Sequence, residues 1–563
     1  MADPLVTKSI AIQPYPWWSR LPYWRGGMVL LAAFLGLPLL TILGFSLQPA
    51  GDVWRHLQET VLAEYVRNSL LLALGVGAGT LVIGVCAAWL TSLCEFPGRR
   101  FMQWALLLPL AMPAYIIAYT YSGMLDFSGP LQTALREAFS WSNGEYWFPQ
   151  LRSLGGAIAM LSLVLYPYVY MLARAAFLEQ SVCVLEVSRT LGRGPWRSFF
   201  SVALPLARPA IVVGASLVLM ETLADYGTVK YFGLTTFTTG IFRTWFGHGD
   251  AAAAAQLSAV MMVFVFLLIV LERFSRRQAA YHHTSGRYKA LPRYRLAGMR
   301  AALALAACLL PTALGFVIPA GQLLVWAAGT VEMLDASFLD LVLNSLMLAA
   351  IASSLTLIVA LFLAYSRRAN GSRLLNAALH VASLGYAIPG TVIAVGVMIP
   401  FAWLDNTLDA WLRENFGISS GLLLSGTLVC LLFAYVVRFV AIALHSVEAG
   451  LGKIRPSMDE AARSLGKRPW EVLSLVHVPV IWGTLLSAGL LVFVDVLKEL
   501  PATLVLRPFN FNTLAVRAFE LASDERLMDS ASAAIAIVAV GILPVIILSR
   551  SISRARPGHD APT

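Results

Sequence analysis

Long apolar runs recur along the whole chain, and short polar stretches separate each run from the next. Each run holds about 20 residues, the length that a helix needs to cross the hydrocarbon core of a bilayer. Backbone amides in lipid must find hydrogen-bond partners within their own segment, so the runs are predicted to be helices. We place twelve spans at 27–48, 66–92, 103–122, 153–175, 203–224, 252–272, 299–326, 342–364, 375–400, 421–442, 478–496 and 530–550. The pattern predicts an all-α polytopic membrane protein embedded in a lipid bilayer.

The composition supports this prediction, because 58% of the 563 residues are hydrophobic and only 13% are charged. The positive charge is unevenly distributed, and eight of the 41 Lys and Arg residues fall within residues 273–300. Since basic loops stay on the cytoplasmic side, both termini are predicted to be cytoplasmic. Most of the net charge of +10 then faces anionic lipid, and no nucleic-acid partner is needed to explain it.

The chain contains an internal repeat, in which residues 186–205 match residues 460–479 at an offset of 274. The matching pairs in this stretch are Glu186 with Glu460, Gly192 with Gly466, Trp196 with Trp470 and Pro205 with Pro479. The same register pairs Glu221 with Asp495, Asp225 with Glu499, Thr239 with Thr513 and Arg243 with Arg517, and upstream Asn68-Ser69 matches Asn344-Ser345 and Pro113 matches Pro389.

The repeat divides the chain into a first half at 1–272, a basic cytoplasmic linker at 273–300 and a second half at 301–563. Six spans in each half give both halves the same orientation. We therefore predict a parallel repeat with a pseudo-two-fold axis along the membrane normal and one pathway between the halves. Pro113 and Pro389 lie inside the predicted third and ninth spans, where we expect kinks.

The repeated segment is a cytoplasmic elbow between the fourth and fifth spans of each half. In the second elbow, residues 459–465 favour a helix, Gly466 permits a positive φ, and Pro469 suits the first turn of another helix. Two elbows placed identically in the two halves provide a docking surface for two identical partners.

The second elbow resembles the EAA loop of binding-protein-dependent ABC importer permeases. In that family the loop docks in a cleft of the ATP-hydrolysing subunit, so the resemblance implies two copies of a cytoplasmic ABC ATPase. The first elbow is degenerate, with Val187-Ser188 in place of the two alanines. The coupling residues that the resemblance implies are Glu186, Gly192, Trp196, Pro205, Glu460, Ala461, Ala462, Gly466, Trp470 and Pro479.

Residues 221–240 and 495–513 resemble the fused iron(III) transport permeases among these importers. This resemblance implies that Fe³⁺ is the substrate, that a periplasmic ferric-binding protein delivers it, and that the chain lies in the bacterial inner membrane. A fused thiamine permease shares the elbow, so thiamine or another small solute stays open as the cargo.

Four acids in or next to the fifth and eleventh spans form two repeat-related pairs, Glu221 with Asp225 and Asp495 with Glu499. Residues four apart share one face of a helix, and acids inside a membrane usually face a partner or a watery path. We therefore predict that the four acids line the pathway and bind a hard cation transiently, with Tyr226 beside them. Structural ion pairs with Lys498, Arg243 or Arg517, and contact with the binding protein, are the alternatives.

The sequence carries no ATP site of its own. The nearest similarity to a phosphate-binding loop, Gly450-Leu-Gly452-Lys453, lacks the upstream Gly and the Ser or Thr that follows the Lys in such loops. We predict that the chain is not an enzyme, that it holds no cofactor, and that ATP and Mg²⁺ are bound by separate ATPase subunits. An ion-coupled secondary transporter is the alternative class, although such a protein has no use for a duplicated docking loop.

Overall fold

The protein is described by a computed structural model that covers residues 22–49, 51–142, 145–179, 194–277, 293–330, 335–370 and 372–554. In the first half the helices are α1 Pro22–Leu35, α2 Leu37–Ser46, α3 Asp52–Thr60, α4 Leu62–Leu93, α5 Arg99–Ala105, α6 Ala114–Leu125, α7 Pro130–Phe139, α8 Leu154–Glu179, α9 Pro195–Ser198, α10 Leu204–Ala224, α11 Gly227–Tyr231, α12 Phe237–Gly247 and α13 Ala251–Arg277.

The second half has thirteen helices among the described residues. They are α14 Met299–Thr312, α15 Ile318–Gly329, α16 Ala336–Asn370, α17 Arg373–Ser383, α18 Gly390–Phe416, α19 Leu428–Leu451, α20 Pro456–Ser464, α21 Pro469–Val472, α22 Val478–Val480, α23 Trp482–Leu497, α24 Pro501–Leu506, α25 Leu514–Ser523 and α26 Leu527–Arg554. Two short strands, β1 Cys94–Glu95 and β2 Tyr294–Arg295, pair in parallel.

Among the described residues, nine helices are long and apolar enough to cross a membrane, and three bent pairs bring the number to twelve. The prediction of an all-α polytopic membrane protein is confirmed. Several predicted spans have different limits in the structure. The helix of the tenth span is Leu428–Leu451 rather than 421–442, and the ninth predicted span, 375–400, crosses a break between α17 and α18.

Pro113 and Pro389 each mark a helix break. A short 3-10 turn precedes each proline, and α6 and α18 begin at the residue that follows it. In the first half the two parts of the broken span meet at 91°. Proline has no N–H to continue the preceding helix and its φ suits the start of a new one, so the expected kinks are complete breaks.

A π-helical turn leads into the fifth span of each half. It covers Phe199–Ala203 in the first half and Leu473–His477 in the second, and each turn is followed by the repeat proline, Pro205 or Pro479. A proline cannot donate the usual i→i−4 bond, so the extra residue in the turn absorbs the mismatch. The repeat therefore extends to an irregular turn at the same place in each half.

The two halves are interlocked, because the first span of each packs against the other half. The Phe34 ring in α1 lies 4.5 Å from the Phe433 ring in α19. In the reverse direction, the Tyr121 hydroxyl in α6 donates a 2.7 Å hydrogen bond to the Leu314 carbonyl, which lies between α14 and α15. Each of the two hydrophobic cores draws residues from both halves. The halves are therefore not two separate bundles that meet at a flat interface.

One repeat pair from the sequence has a shared structural role. The Ser69 hydroxyl accepts a hydrogen bond from the Phe237 amide at the start of α12, and the Ser345 hydroxyl accepts one from the Leu514 amide at the start of α25. Thr236 and Thr513 precede these starts as N-caps. The structural register is therefore shifted by three residues from the pairing of Thr239 with Thr513, which was wrong in this segment.

Candidate functional site

A cavity of about 1110 Å³ lies between the halves. Its walls come from both halves, and its charged residues include Arg367, His445 and Glu448 at the C-terminal ends of α16 and α19. Those helix ends lie next to the second elbow, where Arg368 pairs with Asp459. The cavity therefore runs from the middle of the bundle to the end that carries the elbow.

A second cavity of about 120 Å³ continues from the first. Both cavities are lined by the same five residues, which we call the partition: Leu110, Tyr168, Tyr386, Asp495 and Lys498. Three of the predicted pathway acids, Glu221, Asp225 and Glu499, line the small cavity, and Tyr226 does so as well. The predicted pathway residues therefore line the small cavity, which shares the partition with the large one.

Two of these acids hold local backbone structure. The Glu499 carboxylate accepts hydrogen bonds from the amides of Ala502 and Thr503, both at 3.0 Å, at the start of α24. The Asp225 carboxylate accepts a 3.0 Å bond from the Val229 amide in α11 and another from the Thr228 hydroxyl. Both acids therefore satisfy amides that a helix start leaves without partners.

These caps correct the expected geometry of the acid pairs. The first long helix ends at Ala224 and the second at Leu497, so Asp225 and Glu499 lie beyond the helices that hold Glu221 and Asp495. The acids of each pair do not share one helical face. In the part of the chain that the structure describes, no three His, Cys, Asp or Glu side chains form a group able to hold a metal ion.

The other two acids face partners at the partition. Lys498 Nζ lies 2.8 Å from Asp495 Oδ1, and the Tyr386 hydroxyl donates a 3.1 Å hydrogen bond to Glu221 Oε1. The second contact joins the halves, because Glu221 comes from α10 and Tyr386 from the turn before α18. The structure thus brings Glu221 and Asp495 into the lining of the small cavity, each with one side-chain partner.

Glu499 forms a buried ion pair with Arg438. Arg438 Nη1 in α19 lies 3.7 Å from Glu499 Oε1, and the Glu499 side chain is only 1% exposed. Gly390 makes room for this pair, because a Cβ at that position would lie 2.7 Å from Glu499 Oε1. Glu499 therefore also lies near the N-terminus of α18, where an anion is favoured.

Tyr226 is packed as an aromatic core residue. Its ring centroid lies 4.8 Å from that of Phe242 and 6.0 Å from that of Phe519, and the residue is 2% exposed. The ring therefore bridges α12 of the first half and α25 of the second.

The second elbow has the shape that its sequence predicts. Helix α20 ends at Ser464, Gly466 adopts a φ of +80°, and α21 begins at Pro469. Outward-facing residues on this elbow include Glu460, Ala461, Gly466, Pro479 and Trp470, which is 58% exposed, whereas Ala462 is buried. The elbow thus presents a mixed polar and apolar surface away from the bundle.

A polar lock attaches the second elbow to the spans. Asp459 Oδ1 lies 2.6 Å from Nε2 of the fully buried His477, and Asp459 Oδ2 accepts a 2.9 Å bond from Arg368 Nε. Burial alone would raise the pKa of Asp459, but the hydrogen bonds from Arg368 and His477 outweigh it and hold the pKa below its usual value. The carboxylate is therefore charged and ties the elbow to α16 and to the π turn before α22.

We expect Asp459→Asn to loosen the second elbow. The substitution removes the charge from two charge-assisted hydrogen bonds, and such bonds contribute about 1.5–3 kcal/mol each. Amide hydrogen exchange in 456–464 should accelerate, whereas exchange in α23 should not change. The neighbouring exposed acid supplies the control, since Glu460→Gln removes a charge without touching the lock. Equal exchange in the two variants would show that the lock does not hold the elbow.

The first elbow is described only in part. Glu186 and Gly192 lie outside the described residues, and the Trp196 side chain does as well. Pro205 lies in the first turn of α10. The Phe199 ring, at the start of the π turn, packs 4.8 Å from Trp89, which also contacts Tyr294 of β2. An aromatic cluster that includes Tyr294 of the linker thus packs next to this elbow. The second elbow is held by the polar lock instead.

A family model for the inner membrane component of binding-protein-dependent transport systems matches residues 80–281 and 356–556, more than half of the chain. The chain belongs to this family. It is an ABC importer permease, as the elbow sequence indicated, and the duplicated match agrees with the internal repeat. The family is one of transport proteins rather than enzymes.

Relatives of this permease have different cargoes in their names. The Fe(3+)-transport system permease protein FbpB 2 of Haemophilus influenzae is 25% identical over 541 residues, covering 94% of this chain and 99% of the relative. The molybdenum transport system permease protein ModB of Escherichia coli K12 is 28% identical over 233 residues, covering 39% of this chain and 99% of the relative. The ModB match thus spans less than half of this chain.

Several residues that line the cavities of this permease were missed in the sequence. Tyr168 and Tyr386 have no repeat-related partner of the same kind, since position 442 is Ile and position 110 is Leu, so the repeat did not single them out. Arg438 lies within an apolar run, where a lone charge indicates a buried partner. That signal was available and pointed to an acid on a neighbouring helix.

Proposed function

We propose that this permease imports ferric iron and that the cargo passes the partition between its halves. One observation carries the proposal: each half contributes an acid, Glu221 or Asp495, to the narrow point that joins the two cavities. Carboxylate and phenol oxygens suit a hard, highly charged cation. The full-length similarity to an Fe(3+)-transport permease supports the same cargo.

Within this proposal the four acids divide into two kinds. Glu221 and Asp495 are the groups that meet the cation, because their partners are a tyrosine hydroxyl and a flexible lysine amine. Asp225 and Glu499 fix the backbone beyond each long helix, because amides at the starts of α11 and α24 already occupy them. Contact with the metal is transient, since a permease must release what it carries.

Different partners dock at the two ends of the bundle. Two copies of a cytoplasmic ABC ATPase, which bind ATP and Mg²⁺, dock at the elbows 186–205 and 460–479. A periplasmic ferric-binding protein docks at the opposite end. This arrangement requires both termini and the linker on the cytoplasmic side of the bacterial inner membrane.

The transport step then uses movements that the fold allows. ATP draws the two ATPases together and moves both elbows, and each elbow leads through its π turn into the fifth span of its half. The spans that carry Glu221 and Asp495 shift together and open the partition to the binding protein. Hydrolysis restores the state with the large cavity, from which cargo leaves at the elbow end.

An oxyanion is the second candidate cargo. Arg438 and Lys498 line the small cavity, and Arg438 Nη1 makes no hydrogen bond within the described part of the chain. The similarity of 39% of the chain to a molybdenum transport permease favours the same cargo. An anion would approach these cations, whereas it would be repelled by Glu221 and Asp495.

Uptake into proteoliposomes that contain the permease, its ATPase and its binding protein tests the proposal. ATP-dependent uptake of labelled ferric iron should fall at least about tenfold in Glu221→Gln/Asp495→Asn, because the charged oxygens at the narrow point are gone. Molybdate and thiamine serve as alternative cargoes, and ATPase binding by the double variant reports intact assembly. Iron uptake unchanged by the double substitution would remove the acids from the path, and uptake of molybdate or thiamine instead would overturn iron.

A further inference from the structure

Among the five residues of the partition, the cation comes from the second half. The repeat aligns Glu221 with Asp495 and, in the same register, Ala224 with Lys498. Lys498 directly follows the last residue of α23, whereas Ala224 is the last residue of α10. The narrow point therefore receives an acid from each half but an amine from the second half alone.

The amine faces the path. Lys498 lines both the large and the small cavity, and so does its partner Asp495. The two side chains are 26% and 21% exposed although they lie among packed spans. Tyr168 of the first half lines the same two cavities. The ion pair thus lies across the route that joins the two cavities.

We propose that the ion pair of Lys498 with Asp495 is a gate at the narrow point. In its closed state the tethered amine of Lys498 takes the place beside Asp495 that a passing metal cation would occupy. This inference rests on the proposed acidic path and adds a residue that decides which cations use it. The attraction between a cation and a carboxylate grows with the charge of the cation. A trivalent or divalent ion therefore competes with an ammonium group for Asp495, and a hydrated monovalent ion does not.

The gate has a second consequence when no cargo is present. With Lys498 in place, one of the two acids is neutralised and the other is held by Tyr386. Without the amine, the narrow point would hold two carboxylates, because the other cation of the small cavity, Arg438, pairs with Glu499 instead. Cations would then gather there from both sides, and the path would leak.

Passive influx of Mn²⁺ tests this role without any assumption about the natural cargo. The full permease with its ATPase is placed in liposomes that contain calcein, and Mn²⁺ added outside quenches the dye as it enters without ATP. Lys498→Met should raise the quenching rate about tenfold over wild type, because it exposes Asp495 to the path. Lys498→Arg should stay near wild type, and Lys498→Met/Asp495→Asn should return to it.

Two further variants separate a gate from a structural role. Lys230→Met, an exposed lysine of the first half, is the matched control and should not leak. Lys498→Cys should leak until it reacts with aminoethyl methanethiosulfonate, which restores an amine; treated wild type controls for other cysteines. A leak that this reagent does not reduce would assign Lys498 to packing and overturn the proposal.

The outcomes also distinguish the gate from the iron assignment. Should Lys498→Met fail to fold, Lys498→Gln and the modified Lys498→Cys carry the same comparison. Mn²⁺ influx in folded Lys498 variants equal to that of wild type overturns the gate, whatever the cargo. A wild type that takes up no iron with ATP overturns the iron assignment, while the Mn²⁺ comparison still decides the gate.

Discussion

Glu499→Ala should destabilise the folded permease by about 3–5 kcal/mol, the cost of leaving a buried ion without its partner. The substitution removes the acceptor of two backbone amides and takes from the Arg438 guanidinium the ionic partner that it has in the described part of the chain. Glu499 is 4% exposed, so water cannot replace the lost contacts. The measurement is the free energy of unfolding in mixed micelles.

The repeat supplies the matched control for this prediction. Asp225→Ala removes the corresponding cap at α11, yet no salt bridge to Asp225 is found in the described part of the chain. Its cost should be that of a lost cap, about 0.5–2 kcal/mol. Equal losses in the two variants would mean that the ion pair with Arg438 contributes nothing.

A double variant separates the charge from the cap. Glu499→Ala/Arg438→Met replaces the pair with an apolar side chain, which avoids an unpaired buried charge. It should therefore be more stable than Glu499→Ala alone and close to the Asp225→Ala control. If the double variant is less stable than either single variant, the Arg438 charge has another partner and the pair is not the source of the effect.

The order of spans and the repeat could be predicted from the sequence, because both depend on local features. Apolar runs of membrane length specify helices without knowledge of their neighbours. The turn at Gly466 and the helix start at Pro469 likewise follow from backbone preferences of single residues. The structure places the turn and the helix start where the sequence indicated them, whereas the limits of several spans differ.

The breaks after the fifth and eleventh spans could not be read from spacing alone. Acids four apart have the spacing of one helical face, so Asp225 and Glu499 were expected to continue the helices of Glu221 and Asp495. The chain did carry a sign of the break, since Pro501 suits the first turn of a new helix. A capping acid shortly before such a turn is as consistent with the sequence as a pathway acid.

The interlocking of the halves had no sequence signal. A span that faces lipid and a span that crosses to the other half are equally apolar, since lipid tails and core side chains are alike in polarity. The crossing is visible only as close approach. A Cβ on Gly396 in α18 would lie 2.6 Å from the Pro38 carbonyl oxygen in α2, so the glycine allows the two backbones to touch.

Gly466→Val should abolish ATP-driven transport while leaving the stability of the spans almost unchanged. Gly466 has a φ of +80°. This conformation costs a β-branched residue on the order of 1–3 kcal/mol of backbone strain, which glycine does not incur. No atom lies within 4 Å of a Cβ built at this position, so the change acts through the backbone and not through a clash. The valine therefore forces the turn between α20 and α21 to a different angle.

We expect a larger loss of transport than of stability, because the elbow must fit its ATPase partner in one orientation. Uptake in proteoliposomes should fall at least about tenfold, the factor that 1.4 kcal/mol of lost docking energy gives. Affinity for the binding protein at the opposite end should not change, and thermal unfolding should stay near wild type. Gly483→Val tests the specificity, since a Cβ there also meets no atom within 4 Å but the residue lies within the helix α23. Normal uptake in Gly466→Val would show that the angle of the second elbow does not transmit the ATPase movement, and coupling would then depend on the first elbow.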